Sequence, residues 1–427
     1  MLPCCLLNAL KHCFLCAGVS GKLEDIRLGK ETINVAQILQ ITYRQVHTLG
    51  SSRYTFCTTH ENFAPANIVL RPNVILFSIE DEQVKFLEFD PSIEPLNTRK
   101  NPILTFTQMT ASRRMIIIPR FVLPQLVEQL GNVDNKEVVW MFHTCRCGST
   151  IWAQIFNALP NWTVISEDLT MSQSMTYSRH ITNLSEFAKS KEFEEMVTAY
   201  IKLYLNIVPK GNSLLWRALG VSGGTEFMVP IIRKRFPKHK LLFSYRDVLP
   251  TAKSFVRALA PLPRIAQYTR TIDIESERPN EATKYARLFY TSGFDIGVCR
   301  KVLRKVQLQP NVFEWYVFMW ATRIKTFQEY LAAGIPIKCL HYNNLIENPQ
   351  RVVKEVFLHL GIPEDLVETG VKSMEYDSQS GLIIDQKQLK KVDGWKRDEA
   401  QVKRCNRVLE LFGLPNIDSE FSMHNIK

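Results

Sequence analysis

From residue 137 onward, short apolar segments alternate with long segments of helical periodicity. The clearest strand-like segments are "EVVWMFH" (137 to 143), "KLLFSY" (240 to 245) and "PIKCLHY" (336 to 342). The helix-like stretches are "SEFAKSKEFEEMVTAYIKLYL", "NEATKYARLFYTSGFDIGVCRKVLRKVQ" and "NVFEWYVFMWATRIKTFQEYLAAG", the last closed by Gly334. Alternation of this kind is typical of a parallel sheet covered by helices. The sequence therefore predicts an α/β domain over residues 136–427.

The preceding residues 22–135 predict a smaller β-rich domain, whose role the sequence does not indicate. Its β-branched and aromatic runs are separated by turn residues and read "NIVLRPNVILFSI", "VKFLEF" and "RRMIIIPRFVL". The polar stretch "GNVDNKE" (131 to 137) is the predicted linker to the α/β domain.

The first 21 residues are apolar and rich in cysteine, but Lys11 and His12 interrupt them. The two apolar runs are each roughly ten residues long, whereas a membrane-spanning helix needs about twenty. A buried first helix is the favoured interpretation, and weak membrane association through acylated cysteines is the alternative.

The chain carries a formal net charge of +11, with basic clusters at 233 to 240 and 386 to 397, and such surfaces attract polyanions. No zinc-finger spacing or RNA-binding motif supports nucleic acid as the partner.

The ten cysteines lack the spacing of a disulfide scaffold or a zinc site, which favours a reducing compartment such as the cytoplasm. Sequons at Asn161 and Asn183 leave the secretory pathway open.

The stretch "VVWMFHTCRCGSTIW" runs from a strand through a tight polar loop into a helix. A helix that starts beyond a strand offers free N–H groups and a positive dipole end to an anion. An ATP-type loop needs a Gly at position 143 and a Lys at position 149, but His143 and Ser149 stand there instead. The sequence therefore predicts an anion cradle that is not built for ATP with magnesium.

The "RCGST" segment resembles the 5′-phosphosulfate loop of sulfotransferases, which use 3′-phosphoadenosine 5′-phosphosulfate (PAPS). A second segment, "YRDVLPTAKS", resembles the 3′-phosphate motif of the same family, in which an Arg precedes a Ser by eight residues. One departure is that Pro stands at 250 rather than directly after Asp247. The resemblance implies a three-layer sandwich around a central parallel sheet, which is the P-loop NTPase-like sulfotransferase fold, and PAPS as cosubstrate without a metal.

Two later segments extend the resemblance to about residues 137 to 415. "IKCLHYNNLIENPQRVVKEVFLHLGIP" resembles the late strand and helix of the family, with Asn344 in place of an acidic residue. "KKVDGWKR" resembles the carboxyl-terminal loop that closes over the nucleotide. The cofactor-binding residues that the resemblance implies are Arg146, Cys147, Gly148, Ser149, Thr150, Arg246, Ser254, Lys390 and Lys391.

For the transfer step, the resemblance gives Arg146 the catalytic role of holding the sulfuryl oxygens. A general base must also take the proton of the acceptor hydroxyl. Glu167 is the favoured candidate because it lies 21 residues after Arg146, where a second strand should end. The alternatives are His180 and His239, which lie between the two cofactor motifs but lack the surroundings of the family histidine.

The leading hypothesis is transfer of a sulfuryl group from PAPS to a hydroxyl or amine. The alternative is a pseudoenzyme that binds the nucleotide without transfer. The acceptor, a small molecule or a carbohydrate, is not specified by any motif. Trp152 is interpreted either as an adenine-stacking residue or as a core residue.

Overall fold

The computed structural model describes eleven stretches of the chain, and they form two compact units. The antiparallel unit comprises residues 1–95, 105–133 and 199–207, and the parallel unit comprises residues 96–104, 134–198 and 208–427. The described residues are 35–44, 56–98, 100–101, 103–131, 133, 136–178, 184–218, 224–259, 296–307, 311–376 and 395–423. The predicted features that lie wholly or partly outside them are the first 21 residues, the linker at 131 to 137, His180, Asn183, the helix predicted over 280 to 307, and the basic segment 386 to 397 with Lys390 and Lys391.

The antiparallel unit contains a five-stranded sheet with the order β2-β1-β5-β4-β3, in which all neighbouring strands are antiparallel. The N-terminal region is therefore β-rich, as predicted. The strands and helices within its bounds are β1 (Val35–Arg44), β2 (Phe56–Pro65), β3 (Val74–Ile79), β4 (Gln83–Phe89), α1 (Leu104–Ala111), β5 (Ser112–Pro119) and α2 (Leu123–Gln129).

The predicted strand over "NIVLRPNVILFSI" is only half correct. A 3-10 helix, Ala66–Leu70, occupies its first part, and β3 begins at Val74. Pro72 separates the two, because a proline cannot donate a hydrogen bond to a sheet ladder.

The parallel unit is built on a five-stranded sheet with the order β10-β9-β6-β8-β7. Every neighbouring pair is parallel, which confirms the predicted α/β class with a parallel sheet. Its strands are β6 (Val138–His143), β7 (Trp162–Ser166), β8 (Ser213–Arg217), β9 (Lys240–Tyr245) and β10 (Ile337–His341).

Helices connect these strands, and their ends follow local capping chemistry. The predicted helix over 185–205 is two helices, because Ser190 caps the second by accepting a hydrogen bond from Phe193 N at 3.1 Å. The helices are α3 (Ser149–Ala158), α4 (Thr170–Tyr177), α5 (Leu184–Phe187), α6 (Lys191–Ile207), α7 (Met228–Arg235), α8 (Val248–Leu259), α9 (Ile296–Val306), α10 (Val312–Ala332), α11 (Tyr342–Glu347), α12 (Pro349–Leu360), α13 (Val367–Lys372) and α14 (Glu399–Leu411). None of the helices in the described stretches has the length and apolarity that crossing a bilayer requires.

Helices cover both faces of the parallel sheet. On one face, Val139 and Met141 of β6 belong to a buried cluster with residues of α3 and α12. On the other face, the ring of Phe327 in α10 lies 5.6 Å from the ring of Phe142 and 3.9 Å from that of Phe243, measured between centroids. The unit therefore has three layers, with α3 and α12 on one side and α10 on the other.

The strand order reverses at β6, which lies in the centre of the sheet. The chain leaves β6 for β7 at one edge, whereas it leaves β9 for β10 at the opposite edge. The crevice at such a reversal, beyond the carboxyl ends of the strands, is the usual ligand site of open α/β sheets. The loops that follow β6 and β9 are therefore expected to meet at a binding site.

Helix α12 offers a matched test of the core. Leu360 is fully buried and Leu358 is 78% exposed on the same helix. We expect Leu360→Ala to lower the free energy of unfolding by about 2–5 kcal/mol, because it leaves a cavity, and Leu358→Ala to change it by less than about 0.5 kcal/mol. Urea denaturation measures both, and equal effects would contradict this packing.

Candidate functional site

The loop between β6 and α3 has a strained backbone. Cys145 and Arg146 adopt left-handed φ values of 59° and 44°, and Gly148 follows with a φ of 79° at the N-cap of α3. A left-handed residue other than glycine costs about 1–3 kcal/mol and persists only where its surroundings enforce it.

Helix α10 enforces this conformation through the backbone carbonyls of the loop. The buried Tyr316 hydroxyl donates to Thr144 O, and the buried Arg323 guanidinium donates to His143 O at 3.2 Å. Arg323 also pairs with the buried carboxylate of Glu226 at 2.8 Å. Side chains of α10 thus donate hydrogen bonds to two backbone carbonyls at the start of the loop.

His143, the last residue of β6, stabilises the same turn. Its Nδ1 accepts from Cys145 N at 3.2 Å, so its Nε2 carries the hydrogen and donates to Ala218 O at 2.9 Å. Burial, and then the charges of Arg217 and Arg323, hold the pKa of His143 well below its usual range. A neutral imidazole therefore fixes the loop.

The two loop cysteines are structural. Cys147 Sγ donates to Ser244 O at 3.2 Å, and Ser244 Oγ donates to Cys147 O at 3.2 Å, which ties the loop to β9. Burial raises the pKa of the Cys145 thiol to about 12 and also raises that of Cys147. Thiols of raised pKa are poor nucleophiles, so both side chains serve to fill the turn.

Arg146 and Ser254 were predicted from two separate motifs and are 108 residues apart in the sequence, yet they meet directly. Arg146 Nε donates to Ser254 Oγ at 3.1 Å. Burial lowers the pKa of the Arg146 guanidinium, because it removes water from a cation. An anion bound beside Arg146 would offset this loss of hydration.

Arg246, at the carboxyl end of β9, is held by an aromatic ring that the sequence interpretation missed. Its guanidinium carbon lies 4.3 Å from the centroid of the Tyr342 ring at the start of α11. Its Nε is buried and has no hydrogen-bond partner among the residues that the structure describes. Trp320 Nε1 donates to Arg246 O at 2.9 Å and fixes the backbone. Arg246 thus retains an unmet donor, which an anion could accept.

The Tyr342 ring also packs directly against Gly148. A Cβ atom placed on Gly148 would lie 2.6 Å from Cδ2 of Tyr342. The carboxyl ends of β6, β9 and β10 therefore converge on one small region that carries Arg146, Arg246 and Tyr342.

Arg217 is the central site residue that the sequence interpretation missed. It ends β8, its side chain is 2% exposed, and its Nη2 donates to Ser166 Oγ at 2.6 Å. Its Nη1 donates to Ser149 Oγ at 3.2 Å and to Thr150 Oγ1 at 3.3 Å. In the sequence, Arg217 stands out only as a single charged residue at the end of the run "SLLWR". That run was not predicted to be a strand, so the residue was not assigned to the site.

The same guanidinium holds Glu167, the predicted general base. Arg217 Nη1 lies 2.9 Å from Glu167 Oε1, and Glu167 N donates to Arg217 O at 3.1 Å. Glu167 has a left-handed φ of 53° at the end of β7. The carboxylate therefore lies at the same sheet edge as the loop. Since Ser149 and Thr150 accept from Arg217, each hydroxyl retains its own hydrogen to donate to a ligand.

Asp247 links this edge to the C-terminal segment through its side chain. Its carboxylate accepts from Phe421 N at 2.9 Å, from His341 Nε2 at 3.3 Å and from Asn343 Nδ2 at 3.4 Å. Burial alone would raise the pKa of Asp247, but these contacts outweigh it and lower that pKa.

Two interpretations left open by the sequence are resolved. Trp152 is 1% exposed and lies in the cluster between the sheet and α12, so it is a core residue and cannot stack on a ligand.

His239 precedes β9 and therefore lies at the end of the sheet opposite to Arg246. Its Nδ1 accepts from Trp140 Nε1 at 3.1 Å, and burial lowers its pKa to about 4. Its position excludes it as the base.

Comparison with known proteins finds no matching family model and no curated protein that matches. Among solved structures, the chain is similar to a sulfotransferase from Alicyclobacillus acidocaldarius, at 12% identity and a TM-score of 0.34, over 65% of this chain and 96% of that one. It is also similar to the sulfotransferase domain of the Synechococcus PCC 7002 olefin synthase, at 12% identity and a TM-score of 0.32, over 64% of this chain and 95% of that one. Likeness at this level carries no argument about function.

The contact between Gly148 and Tyr342 gives a prediction with a matched control. Gly334 has a similar φ of 76° but has no atom within 4 Å of an added Cβ. We expect Gly334→Ala to cost about 1–2 kcal/mol from backbone strain alone and Gly148→Ala to cost more, because the methyl group also meets the ring.

A double-mutant cycle measured by urea denaturation separates strain from clash. In a Tyr342→Ala background, the cost of Gly148→Ala should fall by about 0.5–3 kcal/mol, the usual coupling of residues in contact. An unchanged cost would mean that the ring does not close on the loop.

Proposed function

We propose that this chain binds PAPS at the carboxyl edge of its parallel sheet and transfers the sulfuryl group to a hydroxyl or amine acceptor. The observation that carries the proposal is the 3.1 Å hydrogen bond from Arg146 Nε to Ser254 Oγ. It joins two segments whose resemblance to sulfotransferase motifs assigns them to opposite ends of one nucleotide. A P-loop NTPase-like sulfotransferase fold with PAPS as cosubstrate accounts for both motifs together.

The loop after β6 suits the 5′-phosphosulfate. The first turn of α3 has N–H groups without acceptors inside the helix, and its dipole favours negative charge there. Arg146 adds a full charge, and the Ser149 and Thr150 hydroxyls can donate to the same anion. Gly148 places no side chain between the backbone and an anion, and a Cβ atom there would also meet Tyr342.

The end of β9 suits the 3′-phosphate. The unpartnered Nε of Arg246 and the hydroxyl of Ser254 lie on the loop and helix that follow one strand. Stacking on Tyr342 fixes the guanidinium plane before a ligand arrives, so less rotamer freedom is lost on binding. An arginine fork held in one plane is matched to the oxygens of a phosphate.

The nucleotide supplies a sulfuryl group, whose bond to the 5′-phosphate breaks as a bond to the acceptor oxygen or nitrogen forms. Arg146 stabilises the negative charge that develops on the leaving phosphate and on the sulfuryl oxygens. Glu167 takes the proton of the acceptor. Arg217 positions Glu167 through their 2.9 Å contact and positions the two hydroxyls at the start of α3.

The nucleotide site can be tested by calorimetry with adenosine 3′,5′-bisphosphate, the product that carries both phosphates. We expect Arg246→Met to weaken its binding about ten- to a hundredfold, because a charged hydrogen bond to the 3′-phosphate is lost. Binding of adenosine 5′-monophosphate, which lacks that phosphate, should change little.

Arg351→Met is the matched control, because Arg351 is 60% exposed and pairs with Glu355 on the surface of α12. It should leave both affinities unchanged. If the unmodified chain does not bind adenosine 3′,5′-bisphosphate, or if Arg246→Met weakens both nucleotides equally, the assignment of the 3′-phosphate site is wrong.

The proposed base can be tested separately. We expect Glu167→Gln to lower kcat for sulfate transfer from radiolabelled PAPS by about 10²- to 10⁴-fold, because an amide cannot accept the proton. The affinity for adenosine 3′,5′-bisphosphate should change little, since Gln keeps an oxygen for Arg217. Nucleotide binding without transfer by the unmodified chain would contradict an enzyme and favour the pseudoenzyme.

A further inference from the structure

The carboxylate of Asp247 holds the chain on both sides of the ring that stacks on Arg246. Asp247 Oδ1 accepts from His341 Nε2 at 3.3 Å, and its Oδ2 accepts from Asn343 Nδ2 at 3.4 Å. These two donors belong to the residues that flank Tyr342, whose ring centroid lies 4.3 Å from the guanidinium carbon of Arg246. The carboxylate therefore fixes the short stretch of chain that carries the ring.

The C-terminal segment that follows α14 contacts the chain immediately before and after Arg246. Phe421 N donates to Asp247 Oδ1 at 2.9 Å. Met423 N donates to the Tyr245 hydroxyl at 3.0 Å. Both contacts use backbone N–H groups of the segment, so they depend on its path rather than on its side chains.

The Phe421 ring strengthens this attachment. Its centroid lies 5.4 Å from the Trp320 ring and 5.9 Å from the Tyr245 ring, with edge-to-face geometry in both pairs, which is a favourable arrangement of aromatic rings. Trp320 in turn donates from Nε1 to Arg246 O at 2.9 Å. The segment therefore packs on the same side chain that holds the backbone of Arg246.

We propose that Asp247 is the positioning residue of the 3′-phosphate site and that the C-terminal segment is part of that site, because together they hold Tyr342 against Arg246. The inference rests on the proposed function, in which Arg246 binds the 3′-phosphate of the nucleotide. The segment thus contributes to nucleotide affinity through Asp247 and not through contact with the ligand.

Removal of the Asp247 carboxylate has opposite effects under two physical roles. A carboxylate beside a phosphate site repels the ligand, so loss of the charge alone would tighten binding. If the carboxylate instead positions the ring and the guanidinium, its loss frees side chains that the ligand must order again, and binding weakens. The sign of the change therefore distinguishes positioning from electrostatics.

Calorimetry of the full chain with adenosine 3′,5′-bisphosphate and adenosine 5′-monophosphate measures that sign. We expect Asp247→Ala to weaken binding of the bisphosphate about three- to tenfold, the usual cost of ordering a long side chain on binding. Binding of the monophosphate, which lacks the 3′-phosphate, should change little. A general loss of structure would weaken both nucleotides, and the Tm of the variant is measured on the same sample.

Asp247→Asn is the conservative variant and should restore the affinity that Asp247→Ala loses. Its Oδ1 can still accept from Phe421 N and His341 Nε2, and the Asn343 amide can rotate so that its oxygen accepts from the new amide. The hydrogen bonds are kept while the negative charge is lost, so rescue depends on positioning alone.

Asp365→Ala is the charge-matched control, because it removes an exposed carboxylate at the other end of the sheet. Asp365 lies shortly after α12, whose last residue, Leu360, accepts through its carbonyl from Lys240 Nζ at the start of β9. This variant should leave both affinities unchanged.

Deletion of residues 420–427 tests the C-terminal segment itself. It removes the Phe421 donor and ring but keeps Ile417, which is 1% exposed and donates from its backbone to Asn406 Oδ1 at 2.8 Å. We expect the same selective loss of bisphosphate affinity. Combination with Asp247→Ala should add little, because both changes act through one carboxylate.

Unchanged or tighter binding of the bisphosphate by Asp247→Ala would overturn the inference, as would equal weakening of both nucleotides or failure of Asp247→Asn to restore binding. If Asp247→Ala does not fold, the deletion decides by the same criteria. Failure of the unmodified chain to bind the bisphosphate would instead overturn the nucleotide proposal, and this inference with it.

Discussion

The buried guanidinium of Arg217 is the interaction on which the geometry of the site depends. One side chain joins the end of β7, through Ser166 and Glu167, to the first turn of α3, through Ser149 and Thr150. A cation with 2% exposure is tolerable only if these acceptors replace its water. Loss of any one acceptor would leave part of the guanidinium unsatisfied. The shared contacts hold the Glu167 carboxylate and the first turn of α3 in a fixed relation to each other.

The strained loop depends on a second buried cation in a different way. Tyr316 and Arg323 are seven residues apart in α10, which is about two turns, so both side chains lie on one face of the helix. They hold the carbonyls of Thr144 and His143, and Arg323 is itself balanced by Glu226. The left-handed Cys145 and Arg146 are therefore maintained by a rigid helix rather than by the loop alone. Preorganisation of this kind would spare a bound anion the cost of ordering the loop.

The sequence predicted the parts of the site that belong to continuous strand, loop and helix segments. Arg146 and Gly148 follow β6, and Arg246 follows β9, so their shared sheet edge was implied by the alternation of strands and helices. Arg217 and Tyr342 were missed because their roles arise only from the strand order, which places β8 and β10 on either side of the β6 and β9 pair. Likewise, the burial of Trp152 depends on where α12 packs, which no local pattern encodes.

Several buried polar atoms of the parallel unit have no hydrogen-bond partner among the described residues, and one of them, the Nε of Arg246, lies beyond the end of β9. A buried donor that makes no hydrogen bond lowers the stability of the free chain. If an anion accepts from this Nε, as we propose for the 3′-phosphate, its binding should stabilise the fold by an amount set by its concentration and Kd. Because Tyr342 already stacks on the guanidinium, little of that stabilisation would be offset by the cost of ordering the side chain.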